Sequence, residues 1–146
     1  LIVILNFIIE KNISKLKSYI KDLFRFIESY EINKPKIIID IQENIMLDVE
    51  MAVPIGLIVS ELIIDSQKHA FKDTPNPSIL FKSSFKKNKL MIEYSDNGCG
   101  LSDDFSLDKS GQLGLKMAKN IAENQLKGTF EILSKSGFLC RLSFIP

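Results

Sequence analysis

At 146 residues, with 45% hydrophobic and 25% charged side chains, the chain has the size and composition of one globular domain that can bury a full core. Its 19 basic residues face 18 acids, a formal net charge of +1, so no overall field draws it to nucleic acid or to a membrane surface. The longest apolar run, "LIVIL" then Asn6 then "FII", is far shorter than the roughly 20 residues that span a bilayer, and no basic segment precedes it as in a secretory signal.

In chain order, Ile2, Leu5 and Ile9 recur at helical spacing, and residues 1–11 read as the tail of a preceding helix in a longer protein. Ile13, Leu16, Ile20, Leu23, Ile27 and Tyr30 continue at intervals of three and four, which predicts an amphipathic helix capped by Asn12 or Ser14. "KIIIDIQ" (Lys36–Gln42) is β-branched and bounded by polar residues, so it reads as a strand, and "IMLD" as a second, short one. Glu50 to Phe71 reads as a long helix with Pro54 in or near its first turn. "SILFKSSF" and "KLMIEYSD" flank the turn "KKN" and predict a hairpin. Residues 101–112, "LSDDFSLDKSGQ", are polar without a period and read as a loop. Leu113 to about Leu126 is helical and stops before Gly128, and "GTFEILS" and "GFLCRLSFI" form a second hairpin around "KSG". This order predicts an α+β fold, a two-layer sandwich whose mixed sheet is covered on one face by helices.

Three stretches carry candidate chemistry. In a helix, Glu61, Asp65 and Lys68 are four and three apart and share a face. They form either a solvated acidic face with Lys68 as partner or a site for hydrated Mg²⁺, which takes a few oxygen ligands together with phosphates and water. "YSDNGCGL" (Tyr94–Leu101) follows a strand and holds Asp96, Gly98 and Gly100. It is either a turn ending a strand or a base reader. A buried ionised carboxylate only accepts hydrogen bonds, so Asp96 would receive adenine's amino group and repel the carbonyl oxygen of guanine. "SGQLGLKMAKN" puts Gly111 and Gly114 at a helix start, where free backbone N–H groups and the positive dipole end suit phosphate. Neither glycine stretch matches the Walker or the dinucleotide pattern. Cys99 and Cys140 are too few for a disulfide framework and fit no zinc spacing, so a reducing, cytoplasmic compartment is expected.

Together these motifs resemble, in order, the ATP-binding domain of sensor histidine kinases, the Bergerat fold shared with gyrase, a heat-shock chaperone and the mismatch-repair ATPases. The likeness covers about Asn12 to Pro146. It is nearest the branch whose helix reads Pro-x-Gly-Leu-x-x-x-Glu-Leu and ends Lys-Tyr/His-Ala-Phe, here Pro54, Gly56, Leu57, Glu61, Leu62, Lys68, His69, Ala70 and Phe71. The resemblance implies ATP and Mg²⁺ as ligands, with Asp96 as the adenine reader and Gly98 and Gly100 shaping its pocket. It makes residues 101–112 a lid, with Gly111, Leu113 and Gly114 in the glycine motif at its far end. Glu61, Asp65 and Lys68 fall at catalytic positions near the metal and phosphates, with Asp65 and Glu61 as metal ligands. His69 matches the aromatic-or-His position beside the nucleotide, where a packing role is expected rather than phosphoacceptance. The implied partners are a phosphoacceptor hairpin upstream of residue 12 and a response-regulator receiver.

One departure is sensitive, because Asp65 stands where the family has its Mg²⁺-ligating Asn, and Ser60 where it has another Asn five residues earlier. The added charge faces a triphosphate, a repulsion of about 4 kcal/mol per unit pair at 4 Å and an effective dielectric of 20. Retained but weakened nucleotide binding is the expectation. The alternatives are a pseudokinase or phosphotransferase-like docking module and an anti-sigma-type serine kinase.

Overall fold

A computed structural model of the chain describes residues 3, 6, 15–30, 34–108 and 112–146, the side chains of 134 and 135 aside. The expected tail at 1–11 is almost wholly outside the described residues, as are the candidate caps Asn12 and Ser14. The elements run α1 (Leu16–Glu28), β1 (Lys36–Ile41), α2 (Val49–Asp65), β2 (Ser78–Lys86), β3 (Lys89–Asp96), α3 (Leu113–Asn120), β4 (Thr129–Lys135) and β5 (Gly137–Phe144). The strands make one mixed sheet in the order β1-β2-β3-β5-β4, with β1 parallel to β2 and every other pairing antiparallel. This is the predicted α+β sandwich.

Alternation on each strand sends one face to the helices. Ile79 and Phe81 on β2, Leu90, Ile92 and Tyr94 on β3, and Phe138, Cys140, Leu142 and Phe144 on β5 are all buried there. On the opposite face the register aligns Asp40, Lys82, Glu93, Arg141 and Glu131 in one row of alternating sign. Arg141 lies 3.8 Å from Glu93 and 3.9 Å from Glu131, which keeps the uncovered face polar. The β2–β3 turn is two residues, Lys87 and Asn88, both at positive φ (50° and 62°), the geometry that matches the twist of a tight hairpin.

Helix α1 buries Leu16, Ile20, Leu23 and Ile27 as its spacing predicts, with Tyr19 and Phe24 beside them. Tyr30, expected in that stripe, is 69% exposed, because the helix ends at Glu28 and carries Tyr30 past the core. "IMLD" forms no strand; Met46 makes only an isolated bridge to Lys15. The edge strand likewise stops at Ile41, one residue short of the predicted end.

Helix α2 is the central helix. Asp48 caps it by accepting from the Met51 N–H at 2.9 Å. Pro54 lies in the second turn, inside the helix, where it has no N–H to return to the carbonyl of Glu50. Nine of its residues, from Ala52 to Ile63, are buried, which explains its nearly unbroken apolar sequence. After Asp65 the helix continues in wider turns over Ser66–Ala70, with the Phe71 N–H bonded to Ser66 O at 3.2 Å. Such a widening shifts the helical phase of whatever follows it and is frequent at functional sites. Helix α3 widens similarly over Ile121–Gln125, is capped by Leu126, and is followed by Lys127 at φ 55°.

Candidate functional site

The end of α2, the exit of β3 and the start of α3 converge at one end of the sheet. Alternation along β3 puts Asp96 on the same buried face as Leu90, Ile92 and Tyr94, and its side chain is only 8% exposed. A buried carboxylate requires donors, and the fold supplies them. Oδ1 accepts from the Gly98 N–H at 2.9 Å and the Phe138 N–H at 3.3 Å. Oδ2 accepts from the Ser66 hydroxyl at 2.6 Å. Ser66 Oγ in turn lies 2.7 Å from the Tyr94 hydroxyl. Ser66 gives its one proton to Asp96, so in the contact with Tyr94 the Tyr94 hydroxyl donates and Ser66 Oγ accepts. Burial pushes the Tyr94 phenol far up from its ordinary value, and the nearby Asp96 pushes the same way, so Tyr94 stays a donor.

Gly98 has a tight packing role. A Cβ there would lie 2.4 Å from the Cβ of Ala70 and 2.5 Å from its carbonyl oxygen, so only glycine lets the β3 exit lie on the end of α2. The Cys99 N–H bonds to Ala70 O at 3.0 Å and locks that contact. Gly100 has φ 71°, the left-handed conformation that favours glycine. Asn97 accepts from the Ser78 N–H at 2.7 Å and donates to Asn76 O at 3.0 Å, which ties the start of β2 to the exit of β3.

Glu61 and Asp65 are half-buried on α2, while Lys68 and His69 are exposed on its widened end. Burial is the main cause raising both carboxyls above their ordinary range. Asp65 pushes Glu61 further up and Lys68 opposes it. Asp65 is held down in part by His69 and Lys68, and pushed up by Asp96. Glu61 reaches α3, for a Cβ at Gly114 would lie 2.5 Å from Glu61 Oε2. Its carboxylate therefore sits at the first turn of that helix, the end where the dipole favours negative charge. The structure thus joins Glu61, Asp65, Lys68, His69, Asp96, Gly98 and Gly114 in one region. Leu113 is 79% exposed, and Gly111 is outside the described residues. Leu101, Phe105 and Leu107 of the expected lid rest on the core.

No protein-family model matches the chain. Among characterised proteins it is similar to the sensor histidine kinase PdtaS of Mycolicibacterium smegmatis, 29% identical over 85 residues, 58% of this chain and 17% of that protein. It is also similar to blue-light-activated histidine kinase 2 of Erythrobacter litoralis, 28% identical over 82 residues, 56% of this chain and 24% of that protein. The chain therefore spans a quarter or less of the length of these relatives. Among solved structures, the histidine kinase domain of the blue-light-activated kinase EL346 of Erythrobacter litoralis superposes with a TM-score of 0.78 at 22% identity, over 90% of this chain and 61% of that one. The chain therefore shares the fold of the histidine-kinase domains. The histidine kinase AdeS of Acinetobacter baumannii has the same fold, with a TM-score of 0.72 at 15% identity over 99% of this domain and 74% of that chain.

Two residues of this region carry no signal in the sequence motifs, Ser66 and Tyr94. Strand alternation signals that Tyr94 shares a face with Asp96, whereas no helical periodicity places Ser66 against them. Among the described residues no group of three or more His, Cys, Asp or Glu side chains could hold a metal. Glu61 and Asp65 offer this region two carboxylates from one helix. Two carboxylates one turn apart suit an ion that keeps its water and leans on phosphate oxygens, as Mg²⁺ does, and do not suit a closed metal cage.

Proposed function

We propose that the chain is the ATP-binding catalytic domain of a two-component sensor histidine kinase. In this reading it supplies the γ-phosphoryl group of ATP to a His on a helical hairpin, from which the group passes to an Asp of a response-regulator receiver. The observation that carries the proposal is the buried carboxylate of Asp96. Its Oδ1 is filled by two backbone donors and its Oδ2 by one hydroxyl, which leaves Oδ2 room for one further donor. Adenine offers an amino group there, whereas guanine offers a carbonyl oxygen that the carboxylate repels.

Transfer of the γ-phosphoryl breaks its bond to the bridging oxygen of ADP and forms a bond to an imidazole nitrogen, so the domain's work is mainly positioning and charge control. Asp96 fixes the base, with Gly98 and Gly100 setting the backbone beside it. Glu61 and Asp65 would hold Mg²⁺ or its water shell, and the ion when bound neutralises phosphate charge. Lys68 opposes the two carboxylates, and the turn at Gly114 faces the phosphate end through its backbone. His69, exposed on the widened end of the helix, acts on Asp65 through charge, lowering its carboxyl.

A second reading, a degenerate docking module that no longer uses ATP, draws on one observation. Asp65 is a half-buried acid already raised by burial, and a triphosphate adds more negative charge beside it. Calorimetric titration of ATP with Mg²⁺ separates the two. Saturable binding below millimolar concentration, with GTP not binding, supports the catalytic reading. No saturation for the parent chain, with binding restored in Asp65→Asn, would favour the docking module.

A further inference from the structure

Of the three groups that hold the Asp96 carboxylate, two are backbone N–H groups that any sequence would supply at those positions. The third, the Ser66 hydroxyl, is a side-chain choice, and it bonds to Oδ2, the oxygen with an acceptor position left. Ser66 is 1% exposed and comes from the wider turns that follow α2, separate from the strand that carries Asp96. Its proton has one acceptor within the network, and its lone pair is taken by the Tyr94 hydroxyl, which is also fully buried. The chain Tyr94 to Ser66 to Asp96 therefore has a single direction of donation. It fixes the rotation of the carboxylate about its own axis, and hence where the remaining lone pair of Oδ2 points.

We propose that Ser66, backed by Tyr94, is a positioning residue for adenine recognition: it aims the free lone pair of Asp96 Oδ2 at the exocyclic amino group of the base. This rests on Asp96 being the adenine reader. Ser66 touches neither phosphate nor metal in this scheme, and it acts through Asp96 alone. Its hydroxyl is therefore coupled to one feature of the ligand, the amino group.

The test is a cycle between a protein group and a ligand group. ATP and purine riboside triphosphate, which lacks only the amino group, are titrated against the 146-residue chain and against Ser66→Ala. Because Ser66→Ala leaves the Tyr94 hydroxyl buried without an acceptor, the double variant Ser66→Ala/Tyr94→Phe, which removes that orphan, is measured beside it. The expected result is a loss of roughly tenfold in ATP affinity in both variants, the size of one charge-assisted hydrogen bond, with purine riboside triphosphate unchanged within about twofold. Tyr94→Phe alone keeps the Ser66–Asp96 bond and is expected to lose less than about threefold for ATP. Equal losses for both nucleotides in the double variant, or no loss for either, would overturn the positioning role while leaving the adenine reading intact. A parent chain that binds the two nucleotides equally would overturn the adenine reading and this proposal together.

Discussion

Alanine at Gly98 and alanine at Gly114 should have opposite consequences, although both glycines belong to the same region. At Gly98 a Cβ meets the Cβ of Ala70 at 2.4 Å, its carbonyl oxygen at 2.5 Å and its carbonyl carbon at 2.7 Å. Backbone cannot swing aside, so either the exit of β3 or the end of α2 must move. Overpacking of this kind costs about 1–3 kcal/mol. The movement also disturbs two hydrogen bonds across the junction, Cys99 N–H to Ala70 O at 3.0 Å and Gly98 N–H to Asp96 Oδ1 at 2.9 Å. At roughly 1 kcal/mol each, they bring the total to about 3–5 kcal/mol. For a domain of this size, each kcal/mol lowers Tm by about 2–4 °C, so Gly98→Ala should melt roughly 6–20 °C below the parent. At Gly114 the near atom is Glu61 Oε2, at 2.5 Å, the free end of a flexible side chain. Gly114→Ala should therefore keep its Tm or gain slightly, since alanine is better in a helix than glycine by up to about 1 kcal/mol. Its loss should appear in Mg²⁺-dependent nucleotide affinity, because Glu61 is displaced. Thermal melts followed by circular dichroism, with ATP titrations beside them, measure both. A Gly98→Ala variant that melts with the parent, or a Gly114→Ala variant that falls as far as Gly98→Ala should, would refute the packing described.

Burial raises the carboxyls of Glu61 and Asp65, so the folded chain holds these protons more tightly than the unfolded one. Their contribution to stability is then full below the ordinary carboxylate range near about pH 4 and is lost as pH rises through the raised values. Asp65→Asn should remove part of that loss, giving a flatter dependence of Tm on pH and a higher Tm at neutral pH without nucleotide; a steeper dependence would contradict the assignment. Tyr19→Phe removes a buried hydroxyl that donates to Ala52 O at 2.8 Å and ties α1 to α2, and chemical denaturation should show a loss of about 1 kcal/mol. Asp48→Ala removes the side-chain acceptor of the Met51 N–H and should cost about 1 kcal/mol by the same measurement, whereas Asp48→Ser should recover most of it.

The strands and helices were legible wherever one face had to be buried, because burial imposes a period. Leu16, Ile20, Leu23 and Ile27 fixed α1, and the alternation of Leu90, Ile92, Tyr94 and Asp96 fixed which face of β3 carries the acid. Short apolar segments without a period were not legible, and "IMLD" is the example: hydrophobic enough for a strand, it pairs only through Met46. Tyr30 continues the apolar stripe but lies past the helix, because α1 ends at Glu28 without a glycine or proline to mark its end. Pro54 sits deeper in α2 than expected because the cap is Asp48, two residues before the predicted start. At the site, Asp96, Gly98, Glu61 and Asp65 stood out by residue type and spacing. Ser66 did not, because its bond to Asp96 depends on the wider turns that follow Asp65, and nothing in an α-helical period foresees them. The close approach of Gly98 to Ala70 was equally invisible, since it joins residues 28 positions apart.

The most direct measurement is a crystal structure of this chain with ADP and Mg²⁺. The adenine amino nitrogen should lie about 3 Å from Asp96 Oδ2, with the Ser66 bond to the same oxygen retained. A nucleotide bound elsewhere, or a base whose amino group faces solvent while Asp96 keeps only its protein donors, would contradict the assignment of this domain's function.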